Sequence, residues 1–366
     1  MPPETLLDFE EPIAVLLKEI EALTLLPHTD ARDREIEQLR RRIGSVRAEL
    51  YRSLTPWQRV LVARHPNRPA LEQYISRLFT GFTEIHGDRR FADDHAILTG
   101  FADYKGDPVL VVGHVKGTDT KEKIFRNFGY ARPEGYRKAM RAMHLAAKFG
   151  RPILVFVDTP AAYPGIDSEE RGVAEAIAVN LRDMMTLDTP IVVTVSGEGG
   201  SGGALGIAIG DRILMQEFAI YSVIPPEGCA AILWRDAGKK VEAAEALKLT
   251  APDLLEAGLI DEIVPEPLGG ADPAVHRHDE LHALGEQPIH DLRLQAVSVL
   301  QALGNEVDDV GSQKLEGAPE NHGGRDAVDV VVAVNGDPLL SRHGRHDAID
   351  RHAHVGERHR IVQVIE

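Results

Sequence analysis

Apolar residues recur at helical spacing through the first fifty residues of the chain. They are Ile13, Leu16, Ile20 and Leu23 before Pro27, and Ile36, Leu39, Ile43, Val46 and Leu50 after it. Spacings of three and four residues predict two amphipathic helices, and the second series has the heptad spacing of a coiled coil. Two arrangements remain open: the helices pair with each other as a hairpin, or their seam docks on another chain.

From about residue 96 the pattern changes to short apolar runs that alternate with helical stretches. The runs occupy Pro108–Val112, Pro152–Val157, Pro190–Val195 and Arg212–Met215, and helical patterns occupy Glu134–Phe149, Glu169–Leu187 and Lys240–Leu249. The runs lack a polar–apolar alternation, which is typical of strands covered on both faces of a sheet. Strands that alternate with helices predict an α/β core with parallel strands.

The composition changes abruptly near Pro273. Ten of the 16 histidines follow this residue, whereas Phe, Tyr, Trp, Met, Cys and Thr are absent from the remainder. Such a segment has too little apolar bulk for a packed core. We therefore expect a helical segment over residues 1–55, the main domain over residues 56–272, and an atypical tail over residues 273–366 that is weakly structured or read out of frame.

Charge and composition narrow the class of protein. The chain has 366 residues and a formal net charge of -16, which disfavours binding to nucleic acid. Its only cysteine is Cys229, so an intramolecular disulfide or a cysteine-rich zinc site is not expected. No apolar run has the length of a membrane span, and the N-terminus does not resemble a signal peptide. We expect a cytoplasmic protein without a membrane partner.

The stretch VSGEGGSGGALGIAIGD, residues 195–211, fits two familiar motifs of enzymes. Gly197, Gly199 and Gly202 match the dinucleotide-binding pattern G-x-G-x-x-G, but the helix that follows is short for that fold. Ser201 is the centre of the nucleophile pattern G-x-S-x-G. The first histidine after it is His276, in the atypical tail, so a catalytic triad is a weak interpretation.

A third interpretation of this stretch needs no side-chain chemistry. Glycines let a substrate approach the backbone, and amide groups at the start of a helix stabilise developing negative charge, as in an oxyanion hole. A tight turn between strand and helix without a catalytic role is the remaining alternative. Glu198, the one acid among the glycines, is expected to order this loop rather than act as a base.

Several long motifs resemble one family. They are GEGGSGGALGIAIGD, FVDTPAAYPGIDSEERG, IFRNFGYARPEGYRKAMR, YSVIPPEGCAAILW, LIDEIVPEPLGGA, LLDFEEPIAVLLKEIEAL and RHPNRP. Together they resemble the alpha subunits of bacterial acetyl-coenzyme A carboxylase carboxyltransferase, over about residue 6 to Ala271. The resemblance implies a crotonase-like α/β fold, in which β-β-α units stack into a spiral, with the N-terminal helical hairpin added.

The resemblance also implies an activity and a set of partners. The alpha subunit acts with a beta subunit in an alpha2beta2 complex, and only the beta subunit carries zinc. Carboxybiotin, delivered by the biotin carboxyl carrier protein after its carboxylation by biotin carboxylase, donates its carboxyl group to acetyl-CoA. The product is malonyl-CoA, the first committed intermediate of fatty acid synthesis. No covalently bound cofactor and no metal ligand are expected in this chain.

The resemblance places the site residues by motif. The backbone amides of Gly202 and Gly203 are expected to form an oxyanion hole that faces biotin. The residues expected to contact substrate are Gly199, Gly200, Ala161, Tyr163, Gly165, Lys116 and Arg126. The two basic residues belong to a local cluster with Lys121, Lys123, Arg137 and Lys138, which would meet coenzyme A phosphates, an acidic partner surface, or only solvent.

Two residues differ from the family pattern. Ala161 stands where glycine is usual, and alanine would be strained there if the position needs a positive φ. Pro225 replaces a serine and removes one amide and one hydroxyl group. The alternatives that remain are another crotonase-fold acyl-CoA enzyme that works without biotin or a partner, a hydrolase that uses Ser201, and a non-catalytic assembly subunit.

Overall fold

A computed structural model of the chain describes residues 6–267, which form a mixed sheet with helices packed around it. The helices are α1 (Glu11–Thr24), α2 (Asp30–Arg52), α3 (Pro56–Ala63), α4 (Leu71–Leu78), α5 (Thr120–Phe125), α6 (Pro133–Lys148), α7 (Ile166–Glu170), α8 (Val173–Met184), α9 (Ser201–Leu205), α10 (Pro226–Leu233), α11 (Lys240–Ala246) and α12 (Ala251–Glu256). Short 3-10 helices cover Asp8–Glu10, Asn127–Gly129 and Ala237–Lys239. The strands are β1 (Thr80–Glu84), β2 (Ile97–Tyr104), β3 (Asp107–His114), β4 (Ile153–Thr159), β5 (Ile191–Gly200), β6 (Arg212–Gln216), β7 (Ile220–Ser222) and β8 (Glu262–Val264).

The sheet joins an antiparallel part to a parallel part. Its strand order is β1-β2-β3-β4-β5-β6-β8, and β7 pairs with β5 beside β6. The strands β1, β2 and β3 pair antiparallel, and every pairing from β3 onward is parallel. The hairpin of β2 and β3 followed by α6 is one β-β-α unit. The predicted α/β class is confirmed, and a crotonase-like spiral of such units stays a prediction.

The parallel strands and the predicted helices lie close to their expected positions, and one predicted helix is divided. Helices α3, α4, α5 and α10 were not predicted. The helical pattern over Glu169–Leu187 is divided into α7 and α8, because Gly172 between them has a left-handed φ of 77°. Strands β1, β2 and β7 were not predicted. β1 has a single apolar residue, polar residues and glycine interrupt the apolar pattern of β2, and β7 has only three residues.

The N-terminal seam is closed within the hairpin of α1 and α2. Ile13, Leu16, Leu39 and Ile43 are buried against one another. The predicted hairpin is therefore confirmed, and its apolar seam is filled by side chains of α1 and α2 themselves. Tyr51, near the end of α2, packs edge-on against Phe218 at a ring distance of 5.3 Å and so ties the hairpin to the sheet.

The tail expected over residues 273–366 lies outside the described residues, and so does His276. Among the helices of residues 6–267, none combines the length and the apolar character needed to cross a membrane.

Candidate active site

The glycine-rich stretch is mostly strand rather than loop. Gly197 to Gly200 are the last residues of β5, and α9 begins directly at Ser201. The turn between them is made by Ser201, which has a left-handed φ of 55°. The predicted loop before the helix is therefore much shorter than expected. The buried glycines belong to β5 and continue its pairing with β4 and β7.

The structure does not support either of the two motif interpretations. Gly197 and Gly199 lie in β5 rather than in a phosphate-binding turn, and α9 has only five residues. The strand–turn–helix shape at Ser201 is that of a nucleophile elbow, but within residues 6–267 its hydroxyl has no hydrogen bond to a histidine or a carboxylate. A nucleophilic serine requires such a base within reach. The backbone interpretation of this stretch remains.

The start of α9 packs directly against the segment after β4. A Cβ on Gly200 would collide with the carbonyl of Pro160, and one on Gly203 would collide with the backbone of Ala161 and Ala162. Gly202 differs from both, because its nearest neighbour would be Cδ1 of Ile177 at 3.8 Å, an ordinary contact. Gly200 and Gly203 therefore provide close packing, whereas Gly202 has room for a Cβ beside the first turn of α9.

The motif DTPAAYPG forms the wall against which α9 packs. Ala162 bridges to Ala131, and the amide of Tyr163 donates to the carbonyl of Ala131 at 2.8 Å. Ala161 is not among the residues with positive φ, so alanine is accommodated there without left-handed strain. A Cβ on Gly165 would strike the ring of Tyr163, so glycine is needed for this close contact.

A chain of partly buried ion pairs, centred on the buried Glu198, lies along the end of β5. The ammonium of Lys116 contacts Asp158 at 2.7 Å and Glu198 at 3.1 Å. The guanidinium of Arg64 contacts Glu198 and Glu227, each at 2.7 Å. Asp158 also accepts the backbone N–H of Glu198 at 2.9 Å. We call these five residues the charge chain.

The ion pairs of the charge chain keep the buried Glu198 carboxylate ionised. Burial alone would raise the pKa of Glu198, but Lys116 and Arg64 outweigh it and hold that pKa below its ordinary value. Burial likewise acts to lower the pKa of Lys116, and its two carboxylate partners reverse the direction and raise it. Glu198 thus holds the glycine strand through ion pairs, which agrees with its expected ordering role.

The predicted basic cluster is dispersed. Arg126 donates to Glu72 at 2.9 Å and to the carbonyl of His95 at 3.1 Å. The buried ammonium of Lys138 pairs with Asp93 at 2.6 Å. Lys116 belongs to the charge chain. Lys116 and Arg126 each already pair with a carboxylate. Their contact with substrate phosphates remains a prediction.

Three residues of this region were missed in the sequence. Arg64 and Glu227 belong to the motifs RHPNRP and PPEG, so the motifs marked their positions without indicating that they pair. His114, at the end of β3, is fully buried, and the backbone of Gly203 lies close enough to its ring to favour the protonated form weakly. Burial, together with the charge of Lys116, lowers the pKa of His114 to about 3.

Two further expectations concern Pro225 and metal ligands. Pro225 precedes α10 with a φ of -60°, which is the value that proline prefers, so the replacement of serine causes no backbone strain. Within residues 6–267, no group of three or more histidine, cysteine or acidic side chains is arranged to hold a metal ion.

Comparison with known proteins gives a consistent result. The family model described as acetyl co-enzyme A carboxylase carboxyltransferase-like matches residues 6–300, a range that continues past the expected domain end at residue 272. An alpha subunit of acetyl-coenzyme A carboxylase carboxyl transferase from Geobacter metallireducens is 53% identical over 298 residues, or 81% of this chain and 92% of that protein. The one from Burkholderia multivorans is 58% identical over 269 residues, or 73% of this chain and 83% of that protein.

Solved structures with similar folds are more distant. The transcarboxylase 12S hexamer has 17% identity and a TM-score of 0.48, over 70% of this chain and 45% of that one. The beta subunit of Pseudomonas aeruginosa geranyl-CoA carboxylase has 17% identity and a TM-score of 0.48, over 66% and 45%. On the sequence matches, which cover most of its length, this chain belongs to the acetyl-coenzyme A carboxylase carboxyltransferase alpha-subunit family.

Proposed function

We propose that this chain transfers a carboxyl group from carboxybiotin to acetyl-CoA, and that the first-turn amides of α9 stabilise the charge that develops. The observation that carries the proposal is the start of α9, where Gly203 packs on the backbone of Ala161 and Gly202 has room for a Cβ. The first amides of a helix have no acceptor within that helix. They are therefore available to an oxygen atom of a bound substrate.

Both halves of this reaction place negative charge on an oxygen. Carboxybiotin, when bound, would supply the carboxyl group, and the biotin left by its departure would accept the proton that acetyl-CoA loses, so negative charge would develop on the ureido oxygen and on the thioester oxygen. Fixed amide donors stabilise such charge without needing to reorient, and one donor contributes about 10²–10³ in rate. In this chain the backbone amides of Gly202 and Gly203 would donate to the ureido oxygen of biotin. The transfer therefore requires no nucleophilic side chain.

The charge chain would serve this site by holding its parts in register. Lys116 follows β3, Asp158 lies in β4 and Glu198 lies in β5, so their ion pairs join three successive strands next to α9. Donors must be held within a fraction of an ångström to act on a transition state. We assign positioning, rather than contact with the reacting atoms, to these three residues.

Substrate contacts and partners complete the proposal. Gly199, Gly200, Ala161, Tyr163 and Gly165 would line the pocket beside α9, and Lys116 and Arg126 would contribute positive potential toward coenzyme A. The partners would be a carboxyltransferase beta subunit in an alpha2beta2 complex, the biotin carboxyl carrier protein and biotin carboxylase, all in the cytoplasm. Zinc would be held only by the beta subunit.

The test is reconstitution with a beta subunit. The full chain, co-expressed with a carboxyltransferase beta subunit, should consume malonyl-CoA only when biocytin is present as carboxyl acceptor, and neither subunit alone should do so. Turnover by this chain alone, or without biocytin, would contradict the proposal and indicate another acyl-CoA enzyme. Complex formation without turnover would indicate an assembly subunit.

A further inference from the structure

A cavity of about 650 Å³ lies between α6, α8 and the loop after β1, and the proposed reaction does not use it. Five guanidinium groups line it, those of Arg89, Arg90, Arg137, Arg141 and Arg182. Such a concentration of arginine is unexpected in a chain whose net charge is -16. Cavities of about 300–1,000 Å³ are of the size that holds small molecules.

The carboxylates that line the same cavity, Asp88, Glu175 and Asp183, do not neutralise it. Asp88 is buried, and it accepts the amides of Phe91 at 2.7 Å and Ala92 at 3.1 Å as well as the guanidinium of Arg137 at 2.8 Å. Asp183 pairs with Arg182 at 2.8 Å. The count of five guanidinium groups against three carboxylates leaves a surplus of two positive charges.

Arg89 and Arg90 account for that surplus. Both are exposed, and neither guanidinium has a hydrogen bond or an ion pair in the described part of the chain. In the turn that carries them, Asp88 accepts the amide of Arg90 at 2.9 Å, and Arg89 has a left-handed φ of 64°. The other arginines are occupied; Arg141, for example, donates to the carbonyl of Gly87 at 2.8 Å.

Apolar side chains also line the cavity, namely Met140, Ala176 and Val179. Met140 and Ala176 are buried, and Val179 is half-buried, so Val179 offers the main apolar surface to an organic group. Guanidinium groups bind phosphoryl oxygens in a bidentate manner, and two of them suit two phosphoryl groups.

We propose that this cavity binds an organic diphosphate. Arg89 and Arg90 bind its phosphoryl oxygens, and Val179 packs against its organic part. The site is distinct from the start of α9, so it does not rest on the proposed carboxyl transfer.

The test is calorimetric titration of the full-length protein with ADP, inorganic pyrophosphate and adenosine. ADP should bind, pyrophosphate should bind more weakly because it does not reach the apolar side chains, and adenosine should not bind measurably. The double variant Arg89→Gln/Arg90→Gln should weaken ADP binding at least tenfold. A matched control, Arg40→Gln/Arg42→Gln on the exposed face of α2, removes the same charge and should bind ADP as the unaltered protein does.

A second variant guards against misfolding. Arg89→Gly suits the positive φ of that position, so it should unfold at the same temperature as the unaltered protein or higher and still bind ADP more weakly. Three results would overturn the proposal. They are no ADP binding by the unaltered protein, unchanged binding by both arginine variants, and equal weakening in the α2 control, which would indicate general electrostatic attraction.

Discussion

Lys116 and Asp158 form an ion pair at the centre of the parallel strands, with Nζ 2.7 Å from Oδ1. The same Oδ1 atom accepts the amide of Glu198, so one carboxylate oxygen joins the segment after β3 to β4 and β5. Only 22% of the Lys116 side chain and 7% of the Glu198 side chain are exposed, so solvent screens this junction poorly. A charge that loses its partner there is costly.

Replacement of Lys116 by methionine should therefore destabilise the protein strongly. Lys116→Met leaves Asp158 and Glu198 without their shared cation, and we expect the free energy of unfolding to fall by about 3 kcal/mol. Denaturant unfolding of the full chain measures this. The exposed Lys121 gives the matched control, because Lys121→Met should change the free energy by less than about 0.5 kcal/mol. Equal effects of both variants would show that the junction contributes little.

The two glycines at the start of α9 should respond differently to alanine. Gly203→Ala places a methyl group against the backbone of Ala161 and Ala162, and we expect it to destabilise the protein by about 3 kcal/mol. Gly202→Ala meets only Ile177 at 3.8 Å, so its unfolding temperature should be unchanged or slightly raised. Because the methyl group then occupies the space proposed for substrate, carboxyl transfer should fall about 10²-fold. A Gly202→Ala enzyme with full activity would place the substrate elsewhere.

The core of the fold could be predicted because its signals are local. The apolar runs at β3, β4, β5 and β6 and the helical period of α6 are visible in single short windows of sequence. The strand β2 carries Thr99, Gly100 and Asp103, so its apolar pattern is broken, and its place is set by antiparallel pairing with β3. That pairing is a tertiary effect, which local patterns do not report.

The site could be predicted only in part for a similar reason. The glycine motif marked the start of α9, but it did not distinguish Gly203, which provides close packing, from Gly202, which has room for a Cβ. The charge chain joins Arg64 to Glu198, residues 134 positions apart in sequence. Sequence spacing gives no information about such a contact, and the same holds for the burial of His114.

Ser201 should prove dispensable for carboxyl transfer. Since its hydroxyl has no catalytic partner in the described residues, Ser201→Ala in the reconstituted complex should keep its rate within about tenfold, and a serine-hydrolase probe should not label the unaltered protein. Ser201→Gly is the informative companion, because glycine relieves the positive φ of 55° and should stabilise the turn by about 1 kcal/mol. Loss of about 10³-fold in Ser201→Ala, with probe labelling, would restore the nucleophile interpretation.

His114 should make the protein sensitive to mild acid. Burial and the neighbouring charge of Lys116 lower its pKa from 6.5 to about 3, so the native protein keeps it neutral between these values. The unfolded chain binds a proton there that the native chain does not bind, and the free energy of unfolding must therefore fall as the pH falls below about 6.5. Between pH 7 and 5.5 the loss from this one residue should be about 1 kcal/mol.

Comparison of pH profiles isolates that contribution from those of other groups. His114→Leu has no titrating group at this position, so between pH 7 and 5.5 it should lose about 1 kcal/mol less than the unaltered protein does in denaturant unfolding. The control is His28→Leu, at a histidine whose side chain is 80% exposed, and its profile should follow that of the unaltered protein. His114→Leu could lose as much stability between pH 7 and 5.5 as the His28→Leu control does. In that case the imidazole of His114 would have to bind its proton in the native protein near its ordinary pKa. The core around His114 would then have to admit water or a carboxylate partner to the imidazolium.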